Sequence, residues 1–209
     1  MPKTYKRRST RSHSKRTRRT RRQGTSLRSI VLALSVGILI LAYLIYQTDT
    51  QKKDPYTVTG APSISADFIN SVLARYHSPA QGKGQALYDD GLRYGIDPAY
   101  ALAFFMEESD CGTRGMATIT HSLGNIRATS GHPSYKGYRM YATWEEGFED
   151  WYKLIANLYV QQWGLNTVDE IIPVYAPAGD SNDEQAYIHT VKYLVDAWRS
   201  GTIDANSHQ

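Results

Sequence analysis

Glu107 and Glu108 stand side by side at the end of an apolar stretch, "GIDPAYALAFFMEESDCGTRG", residues 95–115. A carboxyl group held among apolar side chains ionises reluctantly and can donate a proton near neutral pH. Cleaving a glycosidic bond demands such a donor, because the departing alkoxide is a poor leaving group. At helical spacing Glu108 shares a face with Ala101, Phe104 and Phe105, and Glu107 with Tyr100, Ala103 and Phe104. The two faces are nearly equal in apolarity, so spacing does not choose between them. The pair also reads as a solvated helix end, although the last turn of a helix is electrostatically poor for a carboxylate.

Other chemistries find less support. The single cysteine, Cys111, follows Asp110 and Glu108, whose charges disfavour a thiolate, so it is not read as a nucleophile. Six histidines are scattered without H-E-x-x-H or comparable spacing, so no metal site is expected, and no cofactor is implied. Neither a G-x-S-x-G elbow nor a phosphate-binding glycine loop occurs. The 16 tyrosines and four tryptophans could line a sugar cleft, although most of those at helical spacing read as core.

The elements that must position the acid follow from patterning. "SADFINSVLARYH" has Phe68, Ile69, Val72 and Leu73 at helical spacing, with Ser65 or Asp67 as cap. "QALYDDGLRYG" reads as a short helix closed by Gly95. Asp97 and Pro98 then open a helix apolar on all faces, the mark of a central buried one. Residues 111–144 turn to Gly, Ser, Thr and Tyr and predict an irregular lobe, with "YRMYAT" its best strand. Helices return after a capping box, Thr143 with Glu146, and the stripe Phe148, Trp151, Tyr152, Ile155 and Leu158. A last helix carries Tyr187, Val191, Leu194, Val195 and Trp198 at core spacing.

Charge divides the chain. Residues 1–28 hold 12 of the 24 Lys and Arg and no acid, while the remainder carries 12 basic against 20 acidic residues, a net of −8. Residues 29–47 follow without a charge, and Ile30 to Tyr46 would reach about 25 Å as a helix, close to a hydrocarbon core of about 30 Å. The basic residues before this run predict a cytosolic N-terminus, and "AYLIYQTDT" lacks the small residues of a cleavage site, so an uncleaved anchor is expected. The tail reads as topogenic and as leaning on anionic lipid headgroups rather than on nucleic acid. Residues 48–62 read as a linker, 63–201 as one domain without disulfides, and 202–209 as a flexible C-terminus.

"FFMEESDCG", "SLGNIRA", "YRMYATWEEGFEDWYKLI" and "VYAPAGDSNDEQAYIHTV", in that order, resemble the autolysin-type glucosaminidase domains of the lysozyme-like group, which cut peptidoglycan. The Glu-Ser-x-x-Gly pattern is matched by Glu108, Ser109 and Gly112. The following loop is matched loosely by Leu123, Gly124, Asn125, Ile126 and Arg127. The Tyr-x-x-Tyr strand and the next helix start are matched by Tyr138, Tyr141, Glu146, Phe148 and Asp150.

The resemblance implies an α+β, mainly α, lysozyme-like domain with a small irregular β lobe, preceded by one transmembrane helix. Its activity would be a membrane-anchored, outward-facing hydrolase of β-1,4 bonds between amino sugars. Glu108 would be the general acid, with Tyr175 beside it; Ser109, Asn125, Arg127 and Tyr141 would face the glycan, Ser109 also stabilising the helix end or the site. Tyr175 reads equally as a core aromatic, and Asn125 as the occupant of a left-handed turn. The sequence departs from the family in having no acid between Asp110 and Glu145. Asp110, Asp180 and Asp183 remain as second carboxylates, or the substrate's N-acetyl group serves as nucleophile. Lytic transglycosylation and a silent peptidoglycan-binding module of the same fold are the alternatives.

Overall fold

The computed structural model describes residues 27–49, 54–180 and 182–205. The basic tail, apart from its last two residues, lies outside them. The chain divides into two units at Lys52. The first contains α1 (Leu27–Asp49), which begins two residues before the expected span and ends two beyond it. Among the described residues no helix is long and apolar enough to cross a membrane. The side chains of Arg28, Ser29, Ala33 and residues 44–49 of α1 lie outside the described ones.

The second unit is mainly helical. α2 (Ala66–Arg75) is capped by Ser65, whose Oγ accepts from Phe68 N, and α3 (Gly84–Tyr94) ends at a left-handed Gly95 as expected. α4 (Pro98–Ser109) is the axis of the fold: Pro98 to Met106 are buried, and the helix packs against α8, α6 and α3. A single helical turn, α5 (Ala117–Thr120), and a hairpin of β1 (Ser134–Tyr135) with β2 (Tyr138–Arg139) make up the lobe. The strand expected over 138–143 is thus only two residues long.

α6 (Trp144–Lys153) starts at Thr143, whose Oγ1 accepts from Glu146 N, while the Glu146 carboxylate accepts from Ala142 N instead of closing the reciprocal box. The next residues, Leu154–Gln162, wind as a π-helix, a rare geometry concentrated at functional sites. α7 (Val168–Tyr175) opens with a complete capping box, Thr167 with Glu170, and α8 (Glu184–Arg199) is capped by Asp183.

Two sequence boundaries move. Residues 54–62 are part of the domain, not linker: Val58 is 1% exposed, Thr57 bridges Thr167, Thr59 bridges Ile96, and Tyr56 donates to Asp196 at 2.7 Å. Arg199 ties the same segment down through Pro55 O, Ser63 Oγ and the buried Asp97. The alternating Tyr56 and Val58 are too short a pattern to stand out in a polar stretch. At the other end Ile203 and Ala205 pack on the core, and Tyr76 donates to Ala205 O, so the fold continues past Gly201.

Candidate active site

Glu108 occupies the last turn of α4, and the way that helix stops fixes its position. Asp110, Cys111 and Gly112 take left-handed φ values of 46°, 53° and 85° in succession. Gly112 is obligatory there, since a Cβ would press against the Trp144 and Phe105 rings. Ser109 closes the end: its Oγ accepts from Gly112 N at 2.9 Å and donates to Phe105 O at 3.3 Å. Ser109 is therefore a buried cap, 3% exposed, and not a glycan contact.

Both oxygens of the Glu108 carboxylate are held. Tyr187, in the first turn of α8, donates its hydroxyl to Oε1 at 2.8 Å. Asn125 Nδ2 donates to Oε2 at 3.0 Å and to the Glu108 carbonyl at 3.2 Å. These two acceptors fix the amide orientation, and Asn125 sits at φ 46°, so it fills a left-handed turn and touches the acid at once. Asn125 Oδ1 is buried without a hydrogen-bond partner. Desolvation raises the Glu108 pKa above the usual carboxylate range, more strongly than the two donors lower it; the neighbouring Glu107 charge adds to the rise.

Glu108 lines an open cavity of about 460 Å³, within the range of small-molecule sites. The lobe supplies Asn125, Arg127 and Arg139 to one wall, and the π-helix supplies Leu154, Leu158 and Tyr159 to the other. Tyr175 and the loop after α7, with Asp180 and Asn182, complete it. Gly124 lets the walls meet, because a Cβ there would collide with the Tyr175 hydroxyl and the Trp151 indole.

The remaining sequence candidates are distributed unequally. Tyr175 lines the cavity, but its hydroxyl donates to Gly124 O at 2.5 Å and burial pushes its pKa well up, so Tyr187, not Tyr175, meets the acid. Tyr141 does not line the cavity. Its hydroxyl donates to Asp150, which pairs with Arg139 at 2.7 Å, so it braces an arginine of the wall. Asp110 pairs with Arg114 and Asp183 caps α8; among the described residues Asp180 is the other carboxylate lining the cavity with Glu108. Cys111 is fully buried and its thiol pKa is pushed up by desolvation and by Asp110, which removes it as a nucleophile. No cluster of three or more His, Cys, Asp or Glu suited to a metal occurs among the described residues.

Tyr187 is the contact that periodicity hid. It falls on the apolar stripe of α8 and reads as core, yet a buried tyrosine must find a partner for its hydroxyl. That requirement, applied to the one hydroxyl-bearing member of the stripe, is the signal that could have found it. The π-helical wall has no comparable signal. No protein-family model matches this chain, and neither does any curated protein.

Proposed function

We propose that this chain is a glycosidase of the lysozyme-like kind that cleaves β-1,4 bonds between amino sugars of peptidoglycan, with Glu108 as general acid. The observation that carries this reading is a desolvated carboxyl at the wall of an open cavity, held through both oxygens by Tyr187 and Asn125. The protonated Glu108 gives its proton to the glycosidic oxygen as the C1–O bond breaks. The substrate's acetamido oxygen attacks C1 from the other face and forms an oxazolinium ion, so that no second protein nucleophile is required. Water then attacks C1, giving its proton to the Glu108 carboxylate as the C1–O bond of the oxazolinium breaks, and leaves a reducing end; intramolecular attack by a muramic acid hydroxyl, losing its proton to the same carboxylate, instead gives an anhydro end. The absence of any acid between Asp110 and Glu145, which leaves the lobe without a second carboxylate, favours this single-acid route over a carboxylate pair.

The charge asymmetry of the sequence supports the accompanying topology, in which the basic tail is cytosolic, α1 is the anchor and the glycosidase faces outward. Mass spectrometry of fragments released from purified peptidoglycan tests the activity. Wild type is expected to release saccharides whose end group names the bond, and Glu108→Gln none, while Glu107→Gln retains release. Glycan binding without any product from folded wild type would instead favour a silent binding module.

A further inference from the structure

Arg127 is an unusual member of the cavity wall. Its backbone is pinned on both sides, Arg139 N donating to Ile126 O and Ala128 N to Gly137 O, each at 2.8 Å, and it bridges Tyr138. The guanidinium lies over the Tyr138 ring, 5.2 Å from its centroid. Its side chain nevertheless remains 70% exposed. Among the described residues its ion pair is with Asp180 at 3.6 Å, beyond hydrogen-bonding distance, and Asp180 is itself 56% exposed. A second arginine, Arg139, lines the same wall with its Nε buried and unpartnered, although its Nη1 is committed to Asp150. With Glu108 protonated, the charges lining the cavity sum to +1. A weakly engaged guanidinium facing an open cleft is suited to bidentate capture of a planar anion.

We propose that Arg127 reads a carboxylate carried by the glycan, exchanging its long contact with Asp180 for a close pair with that group. This rests on the glycosidase reading and narrows its substrate to anionic strands over neutral ones of the chitin type. Asp180 acts as the resident competitor: it holds Arg127 in place when the cleft is empty and sets a threshold that uncharged sugars cannot cross. The carboxylate belongs either to the lactyl group of a stem-free muramic acid or to the peptide stem.

The test uses the full chain in neutral detergent, carrying Glu108→Gln so that binding is not complicated by turnover. Calorimetry compares two probe pairs: a tetrasaccharide of alternating N-acetylglucosamine and N-acetylmuramic acid against its lactyl-alcohol form, and the same sugar bearing Ala-Glu stems against the stem diamide. A preference of roughly tenfold for the charged member of one pair is expected, the size of a charge-assisted hydrogen bond, and which pair shows it identifies the source. Adding Arg127→Gln should bring that ratio to about one, while Asp180→Asn should raise affinity for the charged probe. The basic tail is common to all variants, so any preference for the charged probe that the tail produces would persist in Arg127→Gln. Equal binding of charged and neutral probes, or an equal loss of both in Arg127→Gln, overturns the proposal. If wild type still releases fragments from peptidoglycan, the glycosidase reading survives that result; absence of both binding and release removes both.

Discussion

Glu108 is balanced between opposing influences, since desolvation raises its pKa while the donors from Tyr187 and Asn125 lower it. A general acid works only while protonated, so activity falls as pH rises through its pKa. Tyr187→Phe removes one lowering influence without changing the ring, so the alkaline limb of kcat/KM should move to higher pH. The same change should lower kcat, because the carboxyl loses its orientation. A purely structural tyrosine would leave the limb in place, which pH–rate profiles of the two proteins would reveal. Glu108→Gln should cost about 10²–10⁴-fold in rate, the range of general acid catalysis. Asn125 was legible in the sequence as a turn residue and, by resemblance, as a glycan contact; it stands at a left-handed turn and against the Glu108 carboxylate. Ser109, expected by resemblance to stabilise the helix end, bonds Gly112 N there, whereas Tyr141 was legible only as a matched position and its hydrogen bond to Asp150 makes it a brace.

Helix starts and stops were the most legible elements, because Ser65, Gly95, Asp97 with Pro98, and Thr143 act through neighbouring backbone groups. The π-helix escaped, since its wider turn is imposed by packing rather than by residue type. α3 carries a liability of its own. Asp90 is 6% exposed, and burial raises its pKa to about 6, with Arg93 offsetting part of that rise. The folded state therefore binds this proton more tightly than the unfolded one, and stability is lost as pH rises from about 4 to about 6. Asp90→Asn, which cannot ionise, should stabilise the domain by about 1–3 kcal/mol above pH 6 and by little below pH 4. Urea unfolding across that range decides the matter; a pH-independent difference would mean that folding leaves the Asp90 pKa unchanged, and a destabilisation that grows as pH rises would mean that the ion pair with Arg93 dominates. Gly124→Ala should be costly at any pH, since the new methyl displaces Tyr175 and Trp151; a loss of about 2 kcal/mol or more, read from the unfolding midpoint, is expected.

At the scale of the molecule, the compact unit extends beyond the segment that periodicity marked. A chain beginning at Ser63 lacks Val58, Tyr56 and the backbone bridges at Thr57 and Thr59. It should be less stable than one beginning at Asp54 by about 2–4 kcal/mol, chiefly from the lost burial of Val58 and the opened hydrogen bonds. Equal urea midpoints would return 54–62 to the status of linker. Long-range contacts explain why spacing left Glu107 and Glu108 equivalent: Tyr187, which holds Glu108, lies 79 residues beyond it. The same separation orders events in time. A polypeptide is made from its N-terminus, and α4, the lobe and Asn125 all emerge before α8. Until α8 docks on α4, one oxygen of the Glu108 carboxylate lacks its donor. The Glu108 carboxylate is thus completed by a helix that leaves the ribosome after α4 and the lobe, and a chain truncated before α8 is left without the assembled site.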